Sequence, residues 1–226
     1  MTELQKLAMP ILSSQIEAAA RFWKNGWESQ EIVQVKHVFP NSQDAIKVKA
    51  IVFNALYGTN IITISKVADC VERVLKTNHS TGPNLVEELV AEIKNVTNRS
   101  HYSFAAKYAH FFIDSDLPIL DSYAEWMVGK HIGSLKSKNP KRYLRLTEDI
   151  ATLKRVAGLT CHCAELDAYL WVAGEYLSWK ANPKLNISGD LRPYFDRLEK
   201  APESEPDLRS LLGTAVGSAP TTLPPS

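Results

Sequence analysis

The spacing of apolar residues along this chain predicts a fold built from helices. Apolar side chains recur every three or four residues, which is the period of an α-helix, and Gly, Pro and Asn interrupt the pattern. In the first such stretch, Leu12, Ile16 and Trp23 fall on one face. Helices are predicted over 11–25, 47–57, 65–77, 84–96, 103–113, 123–130, 147–158 and 163–181, with a last short one opening at 190–193. The predicted fold class is therefore all-α.

Residues 27–42 are predicted to form a loop. Their valines are spaced as in a short strand, but the Pro-Asn-Ser sequence that starts at Pro40 ends that pattern. Asp44 is then the predicted N-cap of the next helix. Further along, Asn84 and Glu87 have the spacing of a capping box, and Thr147 is the predicted cap of the helix that ends at Gly158.

Length and composition predict one compact domain with a tail. The chain has 226 residues, of which 45% are hydrophobic and 23% charged, close to the averages of globular proteins. We expect residues 1–200 to form one helical domain, with the segment 103–123 at a cleft between two lobes. Residues 201–226 are rich in Pro, Ser and Thr and are predicted to be disordered.

The charge and cysteine content restrict the cellular setting and the partners. The formal net charge is +1, so any phosphate contacts must come from a local patch. Residues 129–155 carry eight basic and two acidic residues, a net charge of +6. Three cysteines, the lack of a signal-like start and the lack of a long apolar run predict a cytoplasmic protein outside the membrane. Cys161 and Cys163 are interpreted as free thiols, without a metal.

A lysine beside aromatic residues and a later carboxylate make the strongest candidate site. Lys107 lies three residues after Phe104 and four before Phe111, next to the aromatic face of its helix. Partial desolvation there would favour the neutral, nucleophilic amine. Asp121 follows fourteen residues later, past a turn at Pro118, and could face the lysine. An ordinary ion pair, with Asp121 as a helix N-cap, fits the same residues.

The same stretch resembles a known family. Ser-Phe-Ala-Ala-Lys-Tyr-Ala-His-Phe at 103–111 and Leu-Pro-Ile-Leu-Asp-Ser-Tyr at 117–123 resemble bacterial 8-oxoguanine DNA glycosylase-like proteins, distant relatives of the helix-hairpin-helix glycosylases. Asn-Ala-Leu-Tyr-Gly-Thr-Asn at 54–60 and Leu-Asp-Ala-Tyr-Leu-Trp-Val-Ala-Gly at 166–174 are similar to the same group. The resemblance covers about residues 45–180.

The resemblance implies a DNA repair enzyme that needs no metal and no organic cofactor. Lys107 would attack the anomeric carbon of the deoxyribose, displace an oxidised guanine and form an imine that permits β-elimination. Asp121 would support the changes in charge. The base must first leave the stack, and four aromatic residues are candidates to receive it. They are Tyr108, Phe111, Trp126 and Trp171.

The segment before the lysine departs from the family pattern. These glycosylases carry a glycine-rich hairpin that presents backbone amides to a phosphate, whereas residues 98–102 read Asn-Arg-Ser-His-Tyr. Basic and polar residues nearby are the candidate phosphate contacts in its place. They are Arg99, Ser100, Lys138, Lys141 and Arg142. A non-catalytic helical module that binds nucleic acid or protein on the same scaffold is the alternative function.

Overall fold

The structure is a computed structural model that describes residues 7–26, 30–39, 43–56, 61–77, 80–134, 137–185 and 187–213. Within these ranges the chain forms eleven α-helices, one short 3-10 helix and no strand, so the all-α prediction is confirmed. The helices are α1 Ser13–Gly26, α2 Gln30–Val38, α3 Gln43–Leu56, α4 Ile64–Thr77, α5 Pro83–Thr97, α6 Tyr102–Phe112, α7 Ser122–Ile132, α8 Arg142–Ala157, α9 Cys163–Ala181, α10 Arg192–Lys200 and α11 Pro206–Leu212. The 3-10 helix is Pro202–Ser204. None of the described helices is long and apolar enough to cross a membrane.

The chain divides into two compact units where the sequence predicted one domain. The first unit comprises residues 1–27, 121–137 and 148–226, and the second comprises 28–120 and 138–147. Leu120 is the last residue of a segment of the second unit, and Asp121 is the first residue of a segment of the first unit. Residues 142–147 of α8 are assigned to the second unit and residues 148–157 to the first.

In the second unit, helices α2 to α6 surround an aromatic core. Helix α4 packs against α3 and α5, and α6 packs against α3 and α5. The buried ring of Phe53 on α3 lies 5.9 Å from the rings of Phe104, Phe111 and Phe112 on α6. Because such aromatic pairs bury large surfaces with a fixed geometry, they set the orientation of α6 against α3.

The first unit is built around α9. Fourteen of the nineteen residues of α9 are buried, which is expected of a helix that is apolar on all sides and covered by neighbours. Helices α1, α7 and α11 pack against it. A Cβ at Gly174 would lie 2.9 Å from the Cβ of Tyr123, so glycine is what allows α7 and α9 to approach this closely.

The prediction of a disordered tail is wrong for residues 202–212. Residues 202–212 form the 3-10 helix and α11, and Leu208 and Leu211 are completely buried. Helix α11 packs on α1, where the Gln15 amide donates to the carbonyl of Leu211 at 2.9 Å. Leucine spacing within a Pro- and Ser-rich segment was the overlooked signal. Residues 214–226 lie outside the described part of the chain.

Two local predictions also need correction. The stretch predicted as a loop contains α2, a short helix whose Lys36 lies over the ring of Phe111, so tertiary contacts outweigh its weak helical pattern. Helix α8 begins at Arg142 rather than at Thr147, whose hydroxyl donates to the carbonyl of Tyr143 inside the helix.

Candidate functional site

The turn between α5 and α6 forms without glycine. Asn98 follows α5 in the left-handed conformation, at φ 58° and ψ 17°, and its N–H donates to the carbonyl of Lys94 at 2.8 Å. Asparagine tolerates this conformation better than other residues with a side chain. The glycine-free sequence of residues 98–102 is thus compatible with a tight helix–turn–helix unit directly before Lys107.

The tip of this turn carries exposed polar groups. The backbone N–H of Arg99 donates to the hydroxyl of Thr97 at 3.2 Å, and the side chains of Arg99 and Ser100 are exposed. His101 is the N-cap residue of α6 and makes no side-chain cap hydrogen bond. Burial, and secondarily the charge of Arg99, lower the pKa of His101 and favour its neutral form. The partial positive charge at the start of α6 is thus not offset by a capping side chain.

Glu87 joins α6 to α8 and was not assigned this role from the sequence. Its buried carboxylate accepts hydrogen bonds from the Tyr102 hydroxyl at 3.0 Å and from the backbone N–H of Tyr143 at 2.7 Å. A third bond comes from the N–H of Leu144 at 3.3 Å. Glu87 therefore caps the first turn of α8 from a distant helix, and the predicted capping box with Asn84 does not form, because Gly82 is the N-cap of α5.

The Glu87 bridge also places one predicted phosphate contact beside the α5–α6 turn. The guanidinium carbon of Arg142 lies 5.9 Å from the ring centroid of Tyr102, the first residue of α6. Lys138 and Lys141 precede α8 and are exposed. The second unit therefore brings Arg142 to the start of α6 and keeps the nearby lysines accessible to solvent.

Lys107 lies near the middle of α6 and is half-buried. The predicted aromatic surroundings are present in the same helix, where Phe104 and Tyr108 are buried and Phe111 is half-buried. Phe104 and Phe111 are three and four residues from Lys107, the spacing of neighbouring positions on a helix surface.

The segment after α6 is held by two buried hydrogen bonds. His110 Nδ1–H donates to the carbonyl of Leu117 at 2.7 Å, and the Tyr143 hydroxyl donates to the carbonyl of Pro118 at 2.7 Å. Helix α6 ends at Phe112, and Pro118 disfavours a return to helix in the segment that follows. Both bonds fix the course of the Pro-Ile-Leu sequence that leads to Asp121.

Asp121 is the N-cap of α7, as the sequence predicts. Its backbone is extended, and Oδ1 accepts a hydrogen bond from the N–H of Ala124 at 2.7 Å. The capping interpretation of Asp121 is therefore confirmed. Its proposed catalytic role stays a prediction.

A second carboxylate of the first unit, Glu175, acts together with Asp121 on Tyr123. The pKa of Tyr123 is raised to about 12 by burial and by the negative charges of Glu175 and Asp121. Glu175 is buried and accepts a hydrogen bond from the N–H of Ser188 at 2.8 Å. Glu175 directly follows the Gly174 that ends one of the similar stretches, but nothing in its spacing indicated this position.

The four aromatic residues predicted to receive a base occupy different environments. Tyr108 is 1% exposed and lies against Phe104 and Phe112, so it belongs to the core, and burial raises its pKa. Phe111 is half-buried and lines a cavity of about 270 Å³ in the second unit.

The remaining two lie in the first unit and are half-buried. Trp126 has the ammonium of Lys130 5.3 Å from its ring centroid, and Trp171 packs edge to face on Trp23 at 5.6 Å. Phe111, Trp126 and Trp171 therefore keep partly accessible rings, whereas Tyr108 does not.

Comparison with known proteins gives one partial match. Residues 15–116 are similar to the HI_0787_N family model, which is described as an N-terminal domain. The match covers less than half of the chain; it includes Lys107 and ends before Asp121. No curated protein and no solved structure matches the chain.

Proposed function

We propose that this protein is a DNA base-excision glycosylase that removes oxidised guanine, with Lys107 as the nucleophile and Asp121 as the catalytic carboxylate. In this proposal the Lys107 amine forms a bond to the anomeric carbon as the bond to the base breaks. The base leaves with a proton, and opening of the sugar ring at the C1′–O4′ bond converts the adduct to an imine. Loss of a proton from C2′ of this imine then permits β-elimination of the 3′ phosphate. The enzyme acts on DNA in the cytoplasm.

The observation that carries the proposal is the position of Lys107 behind the uncapped start of α6. Lys107 is five positions after Tyr102, a rise of about 7.5 Å along the helix axis. Helix N-termini bind phosphate through backbone N–H groups and the helix dipole. A DNA phosphate held there, with Arg99 and Arg142 nearby, would place an adjacent nucleotide within reach of the lysine.

The fixed segment between α6 and α7 supports a role for Asp121. The bonds to Leu117 and Pro118 restrict the chain that leads to this residue. A carboxylate in a defined position can stabilise a developing cation or accept a proton, for a typical rate gain of 10² to 10⁴. The capping bond to Ala124 uses Oδ1 and anchors the side chain.

Borohydride trapping on duplex DNA that contains 8-oxoguanine tests the nucleophile. The wild-type protein should form a covalent adduct that Lys107→Gln does not form. Lys66→Gln is the matched control, because Lys66 is an exposed helical lysine on α4 of the same unit. If no adduct forms across a range of salt concentrations and opposite bases, the enzymatic proposal is wrong.

A conservative variant separates catalysis from capping at Asp121. Asparagine is as good an N-cap as aspartate, so Asp121→Asn should keep the fold and the Tm while removing the negative charge. We expect base excision to fall by about 10² or more in this variant. Near-wild-type activity in Asp121→Asn would assign the residue a capping role alone.

The alternative is a non-catalytic module that binds nucleic acid. It is favoured by the exposed Arg99 and Ser100 and by the uncapped start of α6, which could hold DNA without any contribution from Lys107. Under this alternative, fluorescence anisotropy would detect DNA binding that Lys107→Gln leaves almost unchanged, with no release of the base.

A further inference from the structure

The cavity in the second unit contains two lysines that the proposed glycosylase chemistry does not use. Its volume is about 270 Å³, and it is lined by Lys36, Lys49, His110, Phe111, Phe112, Ile113, Asp114 and Ser115. The lining comes from α2, α3, the end of α6 and the turn after α6. The α2 and α3 residues are more than fifty positions before those of α6, so no local motif indicated the cavity.

The two ammonium groups lie at the same end of α6. Lys36 Nζ is 5.6 Å from the ring centroid of Phe111, and Lys49 Nζ is 5.4 Å from that of Phe112. An ammonium group is attracted to the face of an aromatic ring. Lys36 and Lys49 are therefore each attracted to one of two consecutive phenylalanines of α6. The cavity thus has two positive charges on an aromatic wall.

Lys49 is the more unusual of the two lysines. It is only 5% exposed, and its ammonium makes no hydrogen bond or ion pair with any residue in the described part of the chain. Burial, followed by the charge of Lys36, lowers its pKa. The Lys49 side chain is thus largely covered while its ammonium lines the cavity, and a bound anion would stabilise the charged form of the amine.

The other polar groups of the cavity are compatible with an anionic guest. Burial lowers the pKa of His110, whose Nδ1–H is directed to the carbonyl of Leu117. Asp114 lies at the exposed rim, and its Oδ1 accepts a hydrogen bond from the N–H of Asp116 at 2.9 Å, which holds the carboxylate in its own turn. Ser115 adds a hydroxyl that can donate to an oxyanion.

We propose that this cavity is a binding site for a phosphate group, held between the ammonium groups of Lys36 and Lys49. A phosphate has several acceptor oxygens and at neutral pH carries enough negative charge to pair with both cations. The site is independent of Lys107 and Asp121, so its failure and the failure of the glycosylase proposal are separate results. The phosphate can belong to a free small anion or to a DNA backbone.

Isothermal titration with pyrophosphate at low ionic strength tests the site. The wild-type protein should bind pyrophosphate, and Lys49→Met and Lys36→Gln should each weaken binding at least ten-fold. Lys47→Gln is the control, because Lys47 is an exposed lysine on the same helix as Lys49. We expect it to bind within two-fold of the wild type. Absence of binding to the wild type, or equal binding by Lys49→Met, would overturn the proposal.

Thermal unfolding adds a readout that distinguishes a binding lysine from a structural one. In buffer without multivalent anions, Lys49→Met should unfold at the same or a higher temperature than the wild type, because a buried charge is replaced by an apolar side chain of similar length. Pyrophosphate should raise the Tm of the wild type and leave that of Lys49→Met unchanged. If Lys49→Met lowers the Tm in anion-free buffer and pyrophosphate shifts both proteins equally, the lysine is structural.

Competition identifies the source of the phosphate. A short DNA duplex that displaces pyrophosphate from the wild type, and binds more weakly to Lys49→Met, would identify the guest as a backbone phosphate. Pyrophosphate binding that persists at saturating duplex would identify a free small anion. Both results support the site and differ only in its ligand.

Discussion

Acidification should destabilise this protein through His131, a histidine at the end of α7 that is completely buried. Its Nδ1–H donates to the carbonyl of Met9 at 2.8 Å, and its Nε2 lies 3.3 Å from the Tyr169 hydroxyl. A carbonyl can only accept, so the hydrogen bond to Met9 fixes the tautomer. Burial lowers the pKa of His131 from 6.5 to about 4, despite the opposing effect of the Met9 bond.

The sign and size of the effect follow from linkage between protonation and folding. Between pH 6.5 and pH 4 the unfolded chain binds a proton at this histidine and the folded chain does not, so stability rises with pH over that window. The contribution of neutral His131 to the free energy of unfolding is complete above pH 6.5 and is lost as the pH falls towards 4. With these two pKa values, the free energy of unfolding should fall by about 2 kcal/mol from pH 7 to pH 5, and by about 3 kcal/mol below pH 4.

Urea denaturation at pH 7 and pH 5 measures this difference directly. In His131→Gln the amide can still donate to Met9, but no group titrates, so the variant should be less stable at pH 7 and lose most of the wild-type pH dependence. His37→Gln, at an exposed position on α2, should retain the wild-type dependence. Burial also lowers the pKa values of His101 and His110, which leaves a further dependence of the same sign in the variant. If the free energy of unfolding falls equally from pH 7 to pH 5 in the wild type and in His131→Gln, the pH dependence does not come from His131.

Three further substitutions test the packing and capping inferred here, each measured as a change in the free energy of unfolding. Gly174→Ala should destabilise the protein by about 1 to 2 kcal/mol, because the new methyl group meets α7. Gly189→Ala is the control, because its new methyl group has no neighbour within 4 Å. Equal effects of the two substitutions would argue against close contact between α7 and α9. Glu87→Ala should cost roughly 3 kcal/mol of stability, because three donors lose their acceptor. The loss in Glu87→Gln should be smaller. A loss below about 1 kcal/mol in Glu87→Ala would contradict the capping of α8. Asn98→Ala should cost about 1 kcal/mol of stability, whereas Asn98→Gly should be nearly neutral, because glycine enters the left-handed region without strain. A larger loss in Asn98→Gly than in Asn98→Ala would contradict the turn geometry.

The elements predicted well are those whose signal lies within one helix. Helix α9 was predicted at its observed bounds, because its apolar residues and the start at Cys163 belong to the same stretch of chain. Asp121 was identified as an N-cap because capping depends on residues only three positions apart. The place of Lys107 within a helix was likewise predictable from helical spacing.

The features that were missed depend on residues far apart in the sequence. The start of α8 at Arg142 is set by Glu87, which lies 56 residues before the N–H it accepts from. Helix α11 is stabilised by its contacts with α1, although its composition resembles that of a disordered tail. Tyr108 is buried against Phe104 and Phe112, and Phe53 of the distant helix α3 packs on both of those rings.

Local sequence patterns are enough to predict that this protein is helical, that Lys107 lies on an aromatic helix and that Asp121 is the N-cap of the next one. These properties depend on periodicity and capping, which act over three or four residues. The tertiary structure decided that Asn98 makes the turn without glycine, that Arg142 reaches the start of α6 and that Lys36 and Lys49 share a cavity. Those outcomes depend on which helix faces cover one another, and that pairing is settled by burial and hydrogen bonding between distant segments.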